Sequence, residues 1–149
     1  MKTQFVTLAL IASILTGCAT APAVSPPDIT IEGVQVATVR DAIAADMAAK
    51  KATITSISDS MITVEKPMEG GQAVAAQLLL GNAYSSTPKA TLRFVLIKPS
   101  ENQVRVMANG EVSTQMAFGQ VNSTAVGGKD YSVLQKYLDG LKTRLEAAN

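Results

Sequence analysis

The side chains able to do covalent chemistry in this chain are one thiol, hydroxyls, lysine amines and scattered carboxylates. Cys18 is the only cysteine among 149 residues, and histidine is absent. The missing imidazole removes Ser-His-Asp and Cys-His nucleophilic catalysis, histidine general-base chemistry and histidine metal ligation. A zinc site would need carboxylates alone, against the usual Cys and His donor set. One thiol cannot form an intramolecular disulfide, but through its thiolate it is still a nucleophile. Ser85, Ser86 and Thr87 precede Lys89, at a spacing that carries no Ser-Lys signature. Asp41, Asp46, Asp59, Glu65, Glu69 and Glu101 are spread along the chain. A glycosidase-type pair needs two carboxyls about 5–10 Å apart, and surface solvation accounts for each of these. The composition therefore points to no catalytic residue, no metal and no cofactor, and a non-enzymatic protein is expected.

The position of Cys18 gives the thiol a use. The chain opens Met1-Lys2-Thr3, with one positive charge, and continues as an uncharged apolar run from Phe5 to Leu15. A charged start, a short apolar core and small residues before a cut site define a secretory signal peptide. The run is shorter than the ~20 apolar residues that cross a bilayer. It ends Leu15-Thr16-Gly17-Cys18-Ala19. These residues resemble the lipobox of bacterial lipoproteins: an aliphatic residue, two small ones, then an obligatory Cys. The resemblance covers about the first 19 residues and implies nothing about the rest. It implies a diacylglycerol on the Cys18 sulfur, cleavage after Gly17 and an acyl chain (palmitate or similar) on the new amine. One acyl chain binds a membrane only marginally, and this modification would supply two or three. In Gram-negative lipoproteins the residue after the Cys is read for sorting, and Asp there commonly retains the protein in the inner membrane. Ala19 is not such a signal, so the resemblance implies an outer-membrane anchor with the domain facing the periplasm. In a Gram-positive source the anchor would lie on the cell membrane.

Removing 17 residues from 149 leaves 132, one domain's worth and enough for a core. Lys2 leaves with the signal, so 13 basic residues become 12 against 12 acidic ones. Nucleic-acid binding needs a basic stripe, and membrane attraction of the polybasic kind needs a basic cluster; the chain has neither. Tryptophan is absent, which disfavours large aromatic platforms, leaving Tyr84, Tyr131 and Tyr137 available.

Three units follow: a cleaved signal (1–17), a lipidated Cys with a Pro-rich tether (18–28) and one globular domain (29–149). Prolines in the tether predict an extended spacer of about 3.1 Å per residue, reaching up to ~30 Å. Residues 29–32 alternate as a short edge strand. A helix is predicted from an N-cap at Thr38, with Asp41 as its capping-box partner. Val39, Ala42, Ile43 and Met47 share one face, and Lys50 and Lys51 end the helix, where positive charge suits its dipole. Residues 53–57 and 61–66 read as strands around a turn, the second stopped by Pro67. Residues 69–71 read as a loop, 72–80 as a short apolar helix closed by Gly81, and 82–88 as a loop.

The strongest strand lies in residues 89–98, followed by a turn at 99–103 and a strand from Val104. Asn109-Gly110 is normally a hairpin signal. A turn there would pair Ala108 with Glu111 and Val106 with Ser113, mixing apolar and polar residues on one face. One long strand with a bend or bulge near Gly110 is expected instead. Residues 118–128 read as polar and Gly-containing, with another extended segment among the readings. The final helix is capped by Asp130 and carries the stripe Tyr131, Leu134, Leu138, Leu141 and Leu145, which core packing explains better than a coiled-coil seam. Gly140 costs it roughly 1 kcal/mol relative to Ala. The architecture expected is α+β: an antiparallel sheet of four or five strands with the two main helices on one face.

Residues 68–88 join two strands through an apolar helix and an uncharged loop. They read either as a crossover packing the sheet or as an interaction segment, with Leu79 and Tyr84 as its contacts. The leading expectation is a membrane-anchored envelope lipoprotein whose domain binds a protein partner or supports an assembly. The alternatives are a binder of a small apolar or lipid-like ligand and, third, a hydrolase with an unrecognised carboxylate or Ser-Lys site. An exposed apolar patch, an enclosed apolar cavity and a polar cleft with perturbed carboxylates would mark the three in turn.

Overall fold

The computed structural model describes residues 25–80 and 86–148. Its elements run β1 (Asp28–Glu32), α1 (Val36–Ala49), β2 (Thr53–Ile57), β3 (Met61–Pro67), α2 (Gly70–Leu80), β4 (Lys89–Ser100), β5 (Gln103–Gln115), β6 (Val121–Ala125) and α3 (Lys129–Ala147). The fold is α+β. Six strands make one antiparallel sheet in the order β1-β5-β4-β3-β2, with β6 also paired to β5. β1 covers Gln103–Met107 of β5 and β6 covers Glu111–Gln115. Since β4 holds the other side of β5, β1 and β6 lie end to end along one edge.

Alternation decides the faces, because successive strand side chains point to opposite sides. Ile62, Phe94, Ala108 align in register across β3, β4 and β5, and Leu96, Val106, Ile29 across β4, β5 and β1; all six are buried. Onto this face α1 packs Val39, Ile43 and Met47, and α3 packs Leu134, Leu138 and Leu141. The C-terminal stripe is therefore core, with Leu145 partly buried against it. The Phe94 and Tyr137 rings meet edge to face at 5.9 Å, the arrangement their quadrupoles favour.

β5 is one uninterrupted strand through Asn109-Gly110, as its parity requires. The expected bulge is not at Gly110: the β4–β5 register runs unbroken from Lys89↔Ser113 to Ile97↔Arg105. The glycine serves an approach from outside the strand. A Cβ at Gly110 would lie 2.3 Å from Val126 Cγ2, and the Val126 N–H donates to the Gly110 carbonyl at 2.9 Å. The register shifts instead between Ile97 and Ser100. Pro99 lies in that interval without an N–H to give the ladder, so β4 runs through it and the turn narrows to Glu101-Asn102.

The caps differ from expectation. α1 begins at Val36 behind Gln35, with no side-chain cap, so Thr38 lies inside the first turn. α3 begins at Lys129 behind Gly128, and Asp130 is a first-turn acid that suits the helix dipole without capping it. α2 starts at Gly70, absorbing part of the expected loop. The end of α1 is as read: Lys50 is the C-cap and Lys51 takes φ 59°. The Ala52 N–H donates to the Met47 carbonyl and the Lys51 N–H to that of Ala48, a Schellman closure with Lys where Gly is commonest.

Candidate functional site

Of the residues singled out from sequence, Leu15, Thr16, Gly17, Cys18, Ala19 and Tyr84 lie outside the described residues. Leu79 is described, and it is 84% exposed. Pro27, where the described chain enters the domain, is buried, and its carbonyl accepts the Ala108 N–H at 2.9 Å.

Leu79 belongs to one end of the sheet. The α2–β4 connection is pinned there to the end of β5: the Ser86 N–H donates to the Gln115 carbonyl at 2.8 Å. The Gln115 N–H donates to Ser86 Oγ at 3.0 Å, and the Thr114 hydroxyl to the Ser86 carbonyl at 2.8 Å. The last bond satisfies a side chain only 2% exposed, which would otherwise be costly to bury. Between α2, β6 and the start of α3 lies a groove of about 490 Å³, lined by Ala76, Leu79, Val112, Thr124 and Val126, with Asp130 beside them. It is partly open to solvent and is not an enclosed apolar cavity. At the hairpin joining β5 to β6, Phe118 is completely exposed and Val121 is 65% exposed. Phe118 and Val121 were not recognised from sequence, because a single aromatic among polar and glycine residues carries no periodicity. The available signal was the lack of charge around it.

The sheet face opposite the helices carries a second surface. Met61, Val95 and Met107 stand side by side in register across β3, β4 and β5, with Ile97 two residues along β4. Met61 and Ile97 are exposed, and Val95 and Met107 are half-buried. Ion pairs share this face: Arg105–Asp28, Arg93–Glu111 and Lys89–Glu65. Beside Arg93 and Glu111, a pocket of about 290 Å³ is lined by Thr91, Asn109, Ser123 and Tyr131.

Of the carboxylates singled out from sequence, Asp41, Asp46, Asp59, Glu65 and Glu101 face cations. Arg40 bridges Asp41 at 2.9 Å and Asp59 at 2.7 Å, and Lys98 faces Glu101 at 3.8 Å. Asp46 receives Arg144 on both oxygens, at 3.2 and 2.5 Å, and the Tyr137 hydroxyl at 3.1 Å. The Arg144 hydrogen bond holds the Asp46 carboxyl below its ordinary range, Tyr137 and the Lys50 charge help, and burial opposes. Burial pushes the Tyr137 hydroxyl up, with the Asp46 charge adding to it. This cluster joins α1 to α3 and is accounted for by packing. Lys89 lies 3.6 Å from Glu65 and Ser86 Oγ is bonded to Gln115, so these two side chains are not arranged as a nucleophile and its base. Among the described residues no group of three His, Cys, Asp or Glu could hold a metal, and no helix is long and apolar enough to cross a membrane.

No protein-family model, no curated protein and no solved structure matches this chain.

Proposed function

We propose that the protein is a lipid-anchored lipoprotein of the bacterial envelope, held by acyl chains on Cys18, whose domain is a non-enzymatic module that engages a protein partner. The observation that carries the partner half of this reading is the Met61–Val95–Met107 row on the helix-free sheet face. An apolar centre bordered by charged side chains is the anatomy of protein interfaces, and methionine adapts its shape to a partner at little cost. The anchor half is supported by the lipobox residues and by the uncharged, Pro-rich segment that follows them. The groove beside α2 is partly open to solvent, which favours a contact surface over a carried apolar ligand.

Photo-crosslinking in living cells tests the reading. A photoreactive residue at Met61 or Ile97 should give a discrete protein adduct, whereas one at the exposed Lys136 on α3 should not. Val95→Lys should abolish the adduct while leaving the fold intact by circular dichroism. Equal labelling at all three positions would refute the partner face.

A further inference from the structure

Charged residues are sparse at one end of the molecule, where Asp130 borders the groove beside Leu79 and Lys89 lies opposite Ser113. Residues 70–88 and 112–128 contain no Asp, Glu, Lys or Arg, although they are far apart in sequence. Folding brings their described parts together through the Ser86–Gln115 bonds and the contact of α2 with β5 and β6. The side chains this end offers to solvent include Phe118, Leu79, Val121 at 65% and Val74 at 58% exposure. The other end of β5 differs. Lys98 near the end of β4 faces Glu101 in the β4–β5 turn, and Glu32 at the end of β1 lies opposite Gln103.

The path of the chain ties the charge-poor end to the anchor. β1 runs antiparallel to β5, with Ile31 opposite Val104 and Asp28 opposite Met107. Traced backward, the chain moves toward Gln115 and passes Ala108 at Pro27. Residues 19–27 are uncharged and span up to ~28 Å at about 3.1 Å per residue. From Met107 to Gln115 the strand covers ~27 Å at about 3.4 Å per residue. Cys18 and the β5–β6 hairpin can therefore lie in one plane.

We propose that the charge-poor end of the domain rests on the bilayer that carries the Cys18 acyl chains, with Phe118 and Leu79 entering the interfacial region. This rests on the lipoprotein reading above. Apolar side chains gain by entering the headgroup–acyl boundary, and a surface with few ionised groups, Asp130 at its border among them, limits the desolvation penalty of charge. The tether makes the contact intramolecular, so a few side chains suffice where free association would need many. A protein partner fits this end less well, because Asp130 alone borders its groove, whereas three ion pairs surround the Met61–Val95–Met107 row. With the sheet standing on this end, that row faces sideways into the aqueous compartment.

The test uses the full-length lipidated protein in phosphatidylcholine vesicles. Lipidation consumes the Cys18 thiol, so an environment-sensitive dye attached after Phe118→Cys, Leu79→Cys or Glu101→Cys labels one site. Lipids carrying a quencher near the headgroup should cut emission at Phe118→Cys and Leu79→Cys at least twofold and leave Glu101→Cys unchanged. Adding Val121→Asp to the labelled Phe118→Cys protein should restore emission while vesicle co-flotation persists. Flotation with equal, unquenched emission at all three sites overturns the docking and leaves the lipoprotein reading standing. Dye at Phe118→Cys shielded only after envelope proteins are added overturns it in favour of a protein contact. A chain from the native host whose intact mass lacks the diacylglycerol overturns both.

Discussion

The Tyr137 hydroxyl on α3 donates to the Asp46 carboxylate on α1 at 3.1 Å, joining the two helices that cover the sheet. Arg144 grips the same carboxylate, and the Lys50 ammonium lies 4.3 Å from the centre of the Tyr137 ring. Asp46→Asn and Tyr137→Phe should each destabilise the protein by about 1 kcal/mol, the scale of a part-exposed hydrogen-bonded charge. Their double mutant should cost less than the sum. The sign of the pH effect follows from the lowered Asp46 pKa. The stabilisation is complete above the unfolded carboxyl value of about 4 and is lost as pH falls through the lower folded value. Urea unfolding should show a constant gap between wild type and Asp46→Asn from about pH 5 to 8, closing below about pH 4.

Leu138 and Leu141 are completely buried, whereas Val133 on the same helix is 66% exposed. Leu138→Ala and Leu141→Ala should each cost on the order of 2–5 kcal/mol, transfer plus cavity. Val133→Ala should stay within about 0.5 kcal/mol, as surface changes do. Thermal and urea unfolding of the three variants checks this, and near-neutral Leu variants would reopen the reading of the stripe as an external seam.

Gly110 marks where the chain leaving β6 meets β5, at Val126. Gly110→Ala would drive its methyl into Val126 and bring it 3.2 Å from Leu92 Cδ2. Overpacking of this kind costs about 1–3 kcal/mol. Val126→Ala removes the nearer obstacle, so Gly110→Ala/Val126→Ala should recover most of the loss attributable to the clash. Additive losses in the double mutant would show that the glycine serves something other than this contact.

The architecture was legible where burial on one face imposed a period. Val39, Ile43 and Met47 at helical spacing, and Val104, Val106 and Ala108 at strand spacing, predicted faces that the fold uses. The same parity identified β5 as one strand despite Asn109-Gly110. Legibility failed where short-range chemistry was ambiguous. Thr38 and Asp130 have cap-forming side chains, but α1 and α3 begin earlier, behind Gln35 and Gly128. β6 is exposed at every position, so no apolar alternation announced it. Leu79 was singled out from sequence as an interaction residue, not as an exposed one, whereas Phe118 and Val121 gained meaning only when residues 70–80 and 112–125 were brought together.

The anchor itself yields the last prediction, and it separates chemistry from sorting. If the thiol of Cys18 accepts the diacylglycerol, Cys18→Ser offers only a hydroxyl, far weaker as a nucleophile at neutral pH. Incorporation of a fatty-acid analogue should then disappear and unprocessed precursor should accumulate, still carrying the Lys2 charge. Label retained by Cys18→Ser would defeat the assignment. Ala19→Asp leaves the thiol, the apolar core and the cleavage residues Leu15, Thr16 and Gly17 intact, so its labelling should equal that of wild type. In a Gram-negative host wild type should fractionate with the outer membrane and Ala19→Asp with the inner. Wild type found wholly in the inner-membrane fraction would overturn the outer-membrane location while leaving the lipid anchor in place. A shift of Ala19→Asp accompanied by loss of label would instead trace the effect to processing at Cys18 rather than to sorting.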